Sequence, residues 1–220
     1  MEKLILSGIT RAVLKSWINI VEHNSINLEW LQTDSISLTE SEQQQVQFIQ
    51  SRLQHYHAHL LNEATIWARA IYPLLSLAEQ KNIQAWAGVS LQTRYINFEI
   101  DCVADGVLGT ATIDGIESPY LVVVETKRGI ENHNPLFQLY GQLLAAAHIN
   151  WEANKVSPQE IFGCYTIADS WTFIRVEIDG FESDKPTLYV EASREYSETF
   201  EAMNIIKILK KIVQKYATNS

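Results

Sequence analysis

The residues best placed to do chemistry stand at the end of an apolar run. Residues Leu121 to Val124 are apolar and mostly β-branched, a pattern typical of a strand buried on both faces. Glu125 and Lys127 follow directly, and they are predicted to share one face because side chains alternate along a strand. Buried charges are costly unless they pair with each other or with a metal ion. The strand end is therefore predicted to hold an ion pair or a reactive site.

A further carboxylate, Asp105, follows an alternating segment and precedes Gly106. Asp-Gly is a frequent turn dipeptide, so Asp105 taken alone indicates a turn between two strands. Asp114-Gly115 predicts a hairpin between Asp105 and the apolar strand. Carboxylates brought together in this way could pair with a cation.

The order of Asp105, a hairpin and Glu125-x-Lys127 resembles the PD-(D/E)XK nucleases, also called restriction-endonuclease-like proteins. The resemblance covers about residues 60–180 and departs from the motif at Ala104, where the motif's name has proline. It implies an α/β fold with a restriction-endonuclease-like core, in which helices flank a central mixed β-sheet. It also implies one domain over residues 1–220, with N-terminal and C-terminal helices packed on the core.

The resemblance implies a role for each residue of the motif. Asp105 and Glu125 would bind Mg²⁺ or Mn²⁺, together with the main-chain carbonyl of Thr126. Lys127 would orient or deprotonate the attacking water, or stabilise developing charge. The chain is then expected to be a Mg²⁺-dependent nuclease with DNA as its first-choice substrate. The alternatives are a non-catalytic binding or assembly module on the same scaffold, and a subunit that cuts only with a partner.

Two helices are expected to add residues to this site. Glu63, on a helix before the sheet, matches the family's acidic residue near the metal waters, and an ordinary solvated glutamate is the alternative. Gln138, on the helix after the motif, is the first choice for the glutamine of the RecB-like branch. Gln142, one turn later on the same face, is the second choice. The tyrosine usual in that branch is absent.

Other polar clusters have ordinary explanations. His55 and His59 would share a helical face while His57 points away, so a zinc site is not predicted. A basic stripe on the last helix favours a solvated face, with nucleic-acid contact as the alternative; it consists of Lys207, Lys210, Lys211 and Lys215. Further possible phosphate contacts are Arg94, Arg128 and Arg175.

Composition restricts the partners. A net charge of −9 and a pI near 5.1 count against a protein that coats nucleic acid nonspecifically, since backbone binding depends on Lys and Arg. A DNA substrate would need local basic groups or a partner protein, and a homodimer is possible. No signal peptide or membrane-spanning segment is predicted, so the expected location is the cytoplasm. Cys102 and Cys164 are expected to be buried thiols.

The periodicities predict the order of elements. A short helix over 2–21, a possible strand within 26–38 and a long helix from Thr39 to about Leu77 come first. Thr39 and Glu42 are expected to form a capping box, and Pro73 to kink or end the long helix. The strands predicted next are 86–91, 95–104, 107–113 and 120–127. The remaining predictions are a helix from Asn134-Pro135 to 149, strands over 161–168 and 172–178, and a helix over 197–216.

Overall fold

The computed structural model describes residues 2–23, 28–55, 57–127 and 135–217. The strands in these ranges are β1 (Glu2–Leu4), β2 (Asn19–His23), β3 (Ile83–Arg94), β4 (Phe98–Thr112), β5 (Gly115–Lys127), β6 (Gln159–Ile167), β7 (Ser170–Asp179) and β8 (Thr187–Ser197). The α-helices are α1 (Arg11–Trp17), α2 (Glu40–Gln54), α3 (Glu63–Ile66), α4 (Tyr72–Leu77), α5 (Leu136–Asn154) and α6 (Glu198–Ala217). A π-helical stretch, Trp67–Ile71, joins α3 to α4.

All eight strands form one mixed sheet, in the order β1-β4-β5-β6-β7-β8-β2, with β3 also paired to β4. The predicted α/β class and the central mixed sheet flanked by helices are therefore confirmed. Strand β3 pairs with β4 over residues 99–110. Strands β1 and β5 must then both lie on the other side of β4, where they pair with residues 98–100 and 106–112. A gap opposite residues 101–105 separates them.

Helices cover both faces of the sheet and bury two apolar layers. Helix α5 connects the parallel strands β5 and β6 and packs with α1 on one face. Helices α2, α4 and α6 cover the opposite face. No helix in the described part of the chain is long and apolar enough to cross a membrane.

The long helix predicted from Thr39 to Leu77 is wrong, although its start is correct. Thr39 and Glu42 form the expected capping box, with bonds of 3.3 Å and 2.7 Å. The helix ends at Gln54, and α3 begins only at Glu63, where Asn62 accepts a hydrogen bond from the Thr65 amide. An asparagine side chain that accepts a hydrogen bond from a first-turn N–H group stabilises the N-terminus of a helix, so Asn62 favours the start of a second helix.

The short N-terminal helix predicted over 2–21 is confirmed only at α1, since β1 and β2 occupy the two ends of that region. Within 26–38, the described residues 28–38 contain only a short 3₁₀ turn, Glu29–Leu31. The turn predicted at Asp105-Gly106 is absent because β4 continues through both residues. The Asp114-Gly115 hairpin and the elements matching β6, β7 and α6 are confirmed, whereas β8 was not predicted. Residue Asn134 lies outside the described residues, and α5 starts directly after Pro135.

Candidate metal-dependent hydrolytic site

The candidate site lies where β4 and β5 separate. The last main-chain pair before the gap joins Gly106 to Val124. One residue further, the Asp105 side chain replaces the main chain as the partner of β5. Its Oδ2 accepts a hydrogen bond of 2.6 Å from the Thr126 amide. This bond holds the carboxylate of Asp105 beside Glu125.

Helix α5 supplies the group that fills the gap. The Gln142 side chain is fully buried, and its Nε2 donates to Glu125 Oε2 at 2.6 Å and to the Val103 carbonyl at 3.3 Å. The preceding residue, Gly141, allows this approach, because a Cβ atom there would lie 2.3 Å from a methyl carbon of Leu6. A glycine at the contact therefore lets α5 come close enough for Gln142 to reach Glu125.

Glu125 and Lys127 share one face of β5, as the alternation predicted. Lys127 Nζ lies 2.5 Å from Glu125 Oε1. The Glu125 side chain is fully buried, and that of Lys127 is 17% exposed. The carboxylate of Glu125 thus has one oxygen on Lys127 and the other on Gln142, which offsets part of the cost of burying its charge.

The local electrostatics oppose full ionisation of both carboxylates. Burial, and then repulsion from Asp105, raise the pKa of Glu125 to about 7 despite the contacts with Lys127 and Gln142. Burial also raises the pKa of Asp105, although the hydrogen bond from the Thr126 amide and the charge of Lys127 each lower it. Burial is the largest single influence on the pKa of Lys127 and lowers it, but the hydrogen bond to Glu125 and the charges of Glu125, Glu63 and Asp105 together raise the pKa above its ordinary value. Lys127 is therefore protonated at neutral pH.

Glu63 lies in the first turn of α3 and is half-buried. Its charge contributes to the raised pKa of Lys127, which places it within electrostatic reach of the site. The contact between α5 and Glu125 belongs to Gln142, whereas the sequence analysis favoured Gln138. Gln138 is half-buried one turn earlier on the same helix. The sequence could not rank the two glutamines, because the gap opposite β4 that selects Gln142 is a tertiary feature.

The oxygen donors of the site come from two side chains and the main chain. The N–H and C=O groups of one strand residue point toward the same side of the strand. The Thr126 amide points toward Asp105 of β4, so the Thr126 carbonyl is expected to face the gap as well. Mg²⁺ binds oxygen and keeps several waters, so two carboxylates and a carbonyl suit it. No group of three or more His, Cys, Asp or Glu side chains that could hold a metal occurs in the described ranges.

The three histidines do not share a helix face. His55 is the C-cap of α2. His57 precedes a separate 3₁₀ turn, Ala58–Leu60, and His59 lies in that turn, with the two rings 5.8 Å apart. The two cysteines are free thiols, with Cys164 buried and Cys102 half-buried. Burial raises the pKa of Cys102 to about 12, which makes its thiol a poor nucleophile.

Several basic residues for which phosphate contact was the alternative interpretation form contacts within the protein. On α6, Lys210 pairs with Glu42 at 2.5 Å, Lys211 donates to two main-chain carbonyls, and Lys215 pairs with Glu160. Arg94 pairs with Glu99, and Arg175 lies among three glutamates, Glu160, Glu177 and Glu191. Arg128 lies outside the described residues.

No protein-family model matches the chain, and no curated protein matches it significantly. Its function must be argued from the site. The feature that any argument has to explain is a pair of adjacent carboxylates, Asp105 and Glu125, held beside a protonated lysine by a buried glutamine.

Proposed function

We propose that this chain is a Mg²⁺-dependent nuclease, with DNA as its substrate and a restriction-endonuclease-like core. The observation that carries the proposal is the convergence of Asp105, Glu125 and Lys127 where two core strands separate. A purely structural ion pair would not require a further carboxylate beside Glu125, since that carboxylate raises the energy of the pair. The cytoplasm is the proposed location.

A divalent cation would relieve the repulsion between the two carboxylates. Asp105 and Glu125 would hold it with the Thr126 carbonyl, and Glu63 would contribute through water. When bound, Mg²⁺ or Mn²⁺ would lower the pKa of the attacking water and neutralise charge on the phosphoryl oxygens. The all-oxygen donor set favours these ions over zinc.

Lys127 acts as a charge rather than as a base in this proposal. Its raised pKa keeps the ammonium group protonated at neutral pH, so it is poorly suited to accept a proton from water. Its side chain is partly exposed at the strand end. It can therefore orient the attacking water and stabilise the negative charge that develops on the phosphoryl group.

A second candidate function is a subunit or assembly module that needs a partner to act on DNA. The observation in its favour is the acidic balance, −9 overall. In addition, ion pairs neutralise many of the basic side chains. A partner protein, or a second copy of the chain, could then supply basic surface.

The first test is cleavage. Supercoiled, linear and single-stranded DNA would be incubated with the purified protein and Mg²⁺ or Mn²⁺, beside a Lys127→Ala variant. Lys3→Ala is a matched control, because Lys3 also forms an ion pair with an aspartate of β4, Asp101, at 2.6 Å. We expect metal-dependent cleavage by the wild type and by Lys3→Ala, and a loss of about 100-fold or more in Lys127→Ala.

A loss of cleavage must also be distinguished from a loss of folding. Thermal unfolding of each variant would show whether it is folded at the assay temperature. Cleavage by a folded Lys127→Ala variant at the wild-type rate would remove the nuclease proposal. No cleavage by the wild type on any of the three substrates would favour the partner-dependent subunit.

A further inference from the structure

The ladder between β3 and β4 is interrupted at a single pair. Every residue of β3 has a partner in β4 except Gly88, which stands opposite Asp105. Gly88 is exposed and has a backbone φ of +63°, and a Cβ added there would have no atom of the described residues within 4 Å. The interruption therefore coincides with a backbone conformation that glycine adopts readily and other residues do not.

The hydrogen bonds at the two ends of β3 show that the ladder changes phase. In an antiparallel ladder, opposite residues alternate between bonded and non-bonded pairs, so bonded pairs lie an even number of residues apart. At one end the Ala111 amide donates to the Asn82 carbonyl at 2.7 Å, and at the other the Tyr95 amide donates to the Phe98 carbonyl at 2.9 Å. Residues 82 and 95 are an odd number of positions apart, so an uninterrupted ladder could not bond both.

The side chains of both strands change face at the same place. Ala85 of β3 and Leu108 of β4 belong to the core layer that α2, α4 and α6 cover. Val89 of β3 and Ala104 of β4 belong to the opposite layer, which α5 covers. Residues four positions apart in a regular strand share a face. Both strands therefore switch faces at the interrupted pair.

This switch gives Asp105 an orientation that a regular strand residue lacks. The neighbours of a regular strand residue share one face. Here Ala104 lies in the layer under α5, whereas a Cβ at Gly106 would lie 2.4 Å from the ring of Trp67, which packs against the opposite layer. Between them, the Asp105 carboxylate reaches the neighbouring strand and accepts the 2.6 Å hydrogen bond from the Thr126 amide.

We propose that Gly88 is a positioning residue for Asp105, because its left-handed backbone interrupts the ladder and turns the Asp105 carboxylate into the gap beside Glu125. This role rests on the proposed nuclease function, since Asp105 is one of the two carboxylates that would bind the metal ion. Irregular pairs of this kind re-aim side chains next to active sites. A Cβ disfavours the left-handed backbone, although asparagine tolerates it. Gly88→Ala should therefore loosen the placement of Asp105, and Gly88→Asn should largely keep it.

The test follows the Thr126 amide, which its bond to Asp105 protects from exchange with solvent. Hydrogen exchange of this amide would be measured by NMR in EDTA, relative to the other amides of β5, so that a general loss of stability is separated from a local change. Mn²⁺ binding by the same variants would be measured by calorimetry at pH 8. The matched control is Gly8→Ala, because Gly8 is also exposed, has a φ of +70° and has the same free space around an added Cβ.

We expect Gly88→Ala to accelerate exchange of the Thr126 amide about tenfold and to raise the Kd for Mn²⁺ about tenfold, since a Cβ disfavours the left-handed backbone by roughly that factor. Gly88→Asn should bring both values to within about threefold of the wild type. Gly8→Ala should lower the thermal stability to a similar degree and leave both values unchanged. Asp105→Ala, which lacks the acceptor, sets the upper limit for exchange of the Thr126 amide.

Two outcomes would overturn the role of Gly88: exchange at Thr126 that is the same in Gly88→Ala and Gly8→Ala, or exchange that is equally fast in Gly88→Ala and Gly88→Asn. The latter would mean that any side chain at position 88 disturbs the site, whatever its backbone preference. Gly88-dependent exchange with no Mn²⁺ binding by the wild type would keep the placement of Asp105 and reject the metal site. Mn²⁺ binding that is unchanged in Gly88→Ala would keep the metal site and reject the role of Gly88.

Discussion

Glu125 is the residue on which the proposed chemistry depends most closely. It is fully buried, its two oxygens contact Lys127 and Gln142, and burial, followed by repulsion from Asp105, raises its pKa to about 7. A proton and a metal ion therefore compete for it near neutral pH. Metal binding should strengthen as the pH rises from 6 to 8, because Glu125 loses its proton in that range.

Replacing Gln142 tests this environment. The Gln142→Met substitution removes the amide that donates to Glu125 Oε2, and an unsolvated carboxylate is harder to ionise. The midpoint of metal binding against pH should move upward by about one pH unit. Gln138→Met, one turn earlier on the same helix, is the control and should leave the midpoint in place. An unchanged midpoint in Gln142→Met would show that the glutamine does not tune the site.

Glu198 is a buried carboxyl group outside the proposed site. It is completely buried at the start of α6, where its Oε2 accepts a hydrogen bond of 2.7 Å from the Trp171 indole and its Oε1 has no partner among the described residues. Burial, with a contribution from Asp169, raises its pKa to about 8. The folded protein therefore holds this proton more tightly than the unfolded chain does, and stability contributed by the neutral group is lost as pH rises toward 8.

The Glu198→Gln variant should be more stable than the wild type in alkaline solution. Glutamine can still accept the Trp171 bond and never becomes charged. The difference in the free energy of unfolding should be below about 1 kcal/mol at pH 5 and about 4 kcal/mol at pH 8.5, because the carboxyl pKa is about 8 in the folded protein and about 4.5 in the unfolded chain. Denaturant unfolding at the two pH values would measure it. A difference that does not grow with pH would contradict the assignment.

At the scale of elements, the site exists because β1 and β5 together pair with only part of one edge of β4. Residues 101–105 have no partner among the described strands on that edge. Sequence periodicity identified β5 and the hairpin before it correctly, since Leu121 to Val124 and Asp114-Gly115 carry strong local signals. It divided β4 at Asp105-Gly106, because the dipeptide is typical of turns. Pairing with β3 overrides that preference, as Ala87 and Val89 lie opposite Gly106 and Ala104, the residues on either side of Asp105.

The fit of α5 against the N-terminal segment can be tested at Gly141. Alanine normally stabilises a helix interior by about 1 kcal/mol relative to glycine. Here a Cβ would lie 2.3 Å from a methyl carbon of Leu6, so Gly141→Ala should destabilise the protein by about 1 to 3 kcal/mol. Because both changes act on one contact, adding Leu6→Ala should cost less than the sum of the single effects. Additive effects in denaturant unfolding would indicate that the two residues do not touch.

At the scale of the whole molecule, the two ends of the chain join the central sheet through polar networks. Arg175 on β7 binds Glu160 and Glu191, and the Trp30 indole donates to Glu191 at 2.9 Å. Lys215 and Tyr216 of α6 also reach Glu160. The sequence predicts basic residues on α6 but not these long-range partners. Such contacts depend on β8 and the 3₁₀ turn at Glu29–Leu31, which carry weak local signals.

The most direct measurement of the central claim is Mn²⁺ binding by calorimetry at pH 8. The account predicts saturable binding by the wild type and by Asp101→Asn, and no binding by Asp105→Asn. Asparagine at position 105 can still accept the Thr126 hydrogen bond, and Asp101 is a half-exposed aspartate of the same strand paired with Lys3. Equal Mn²⁺ affinity in a folded Asp105→Asn variant, or no binding by the wild type, would contradict a metal site at Asp105 and Glu125.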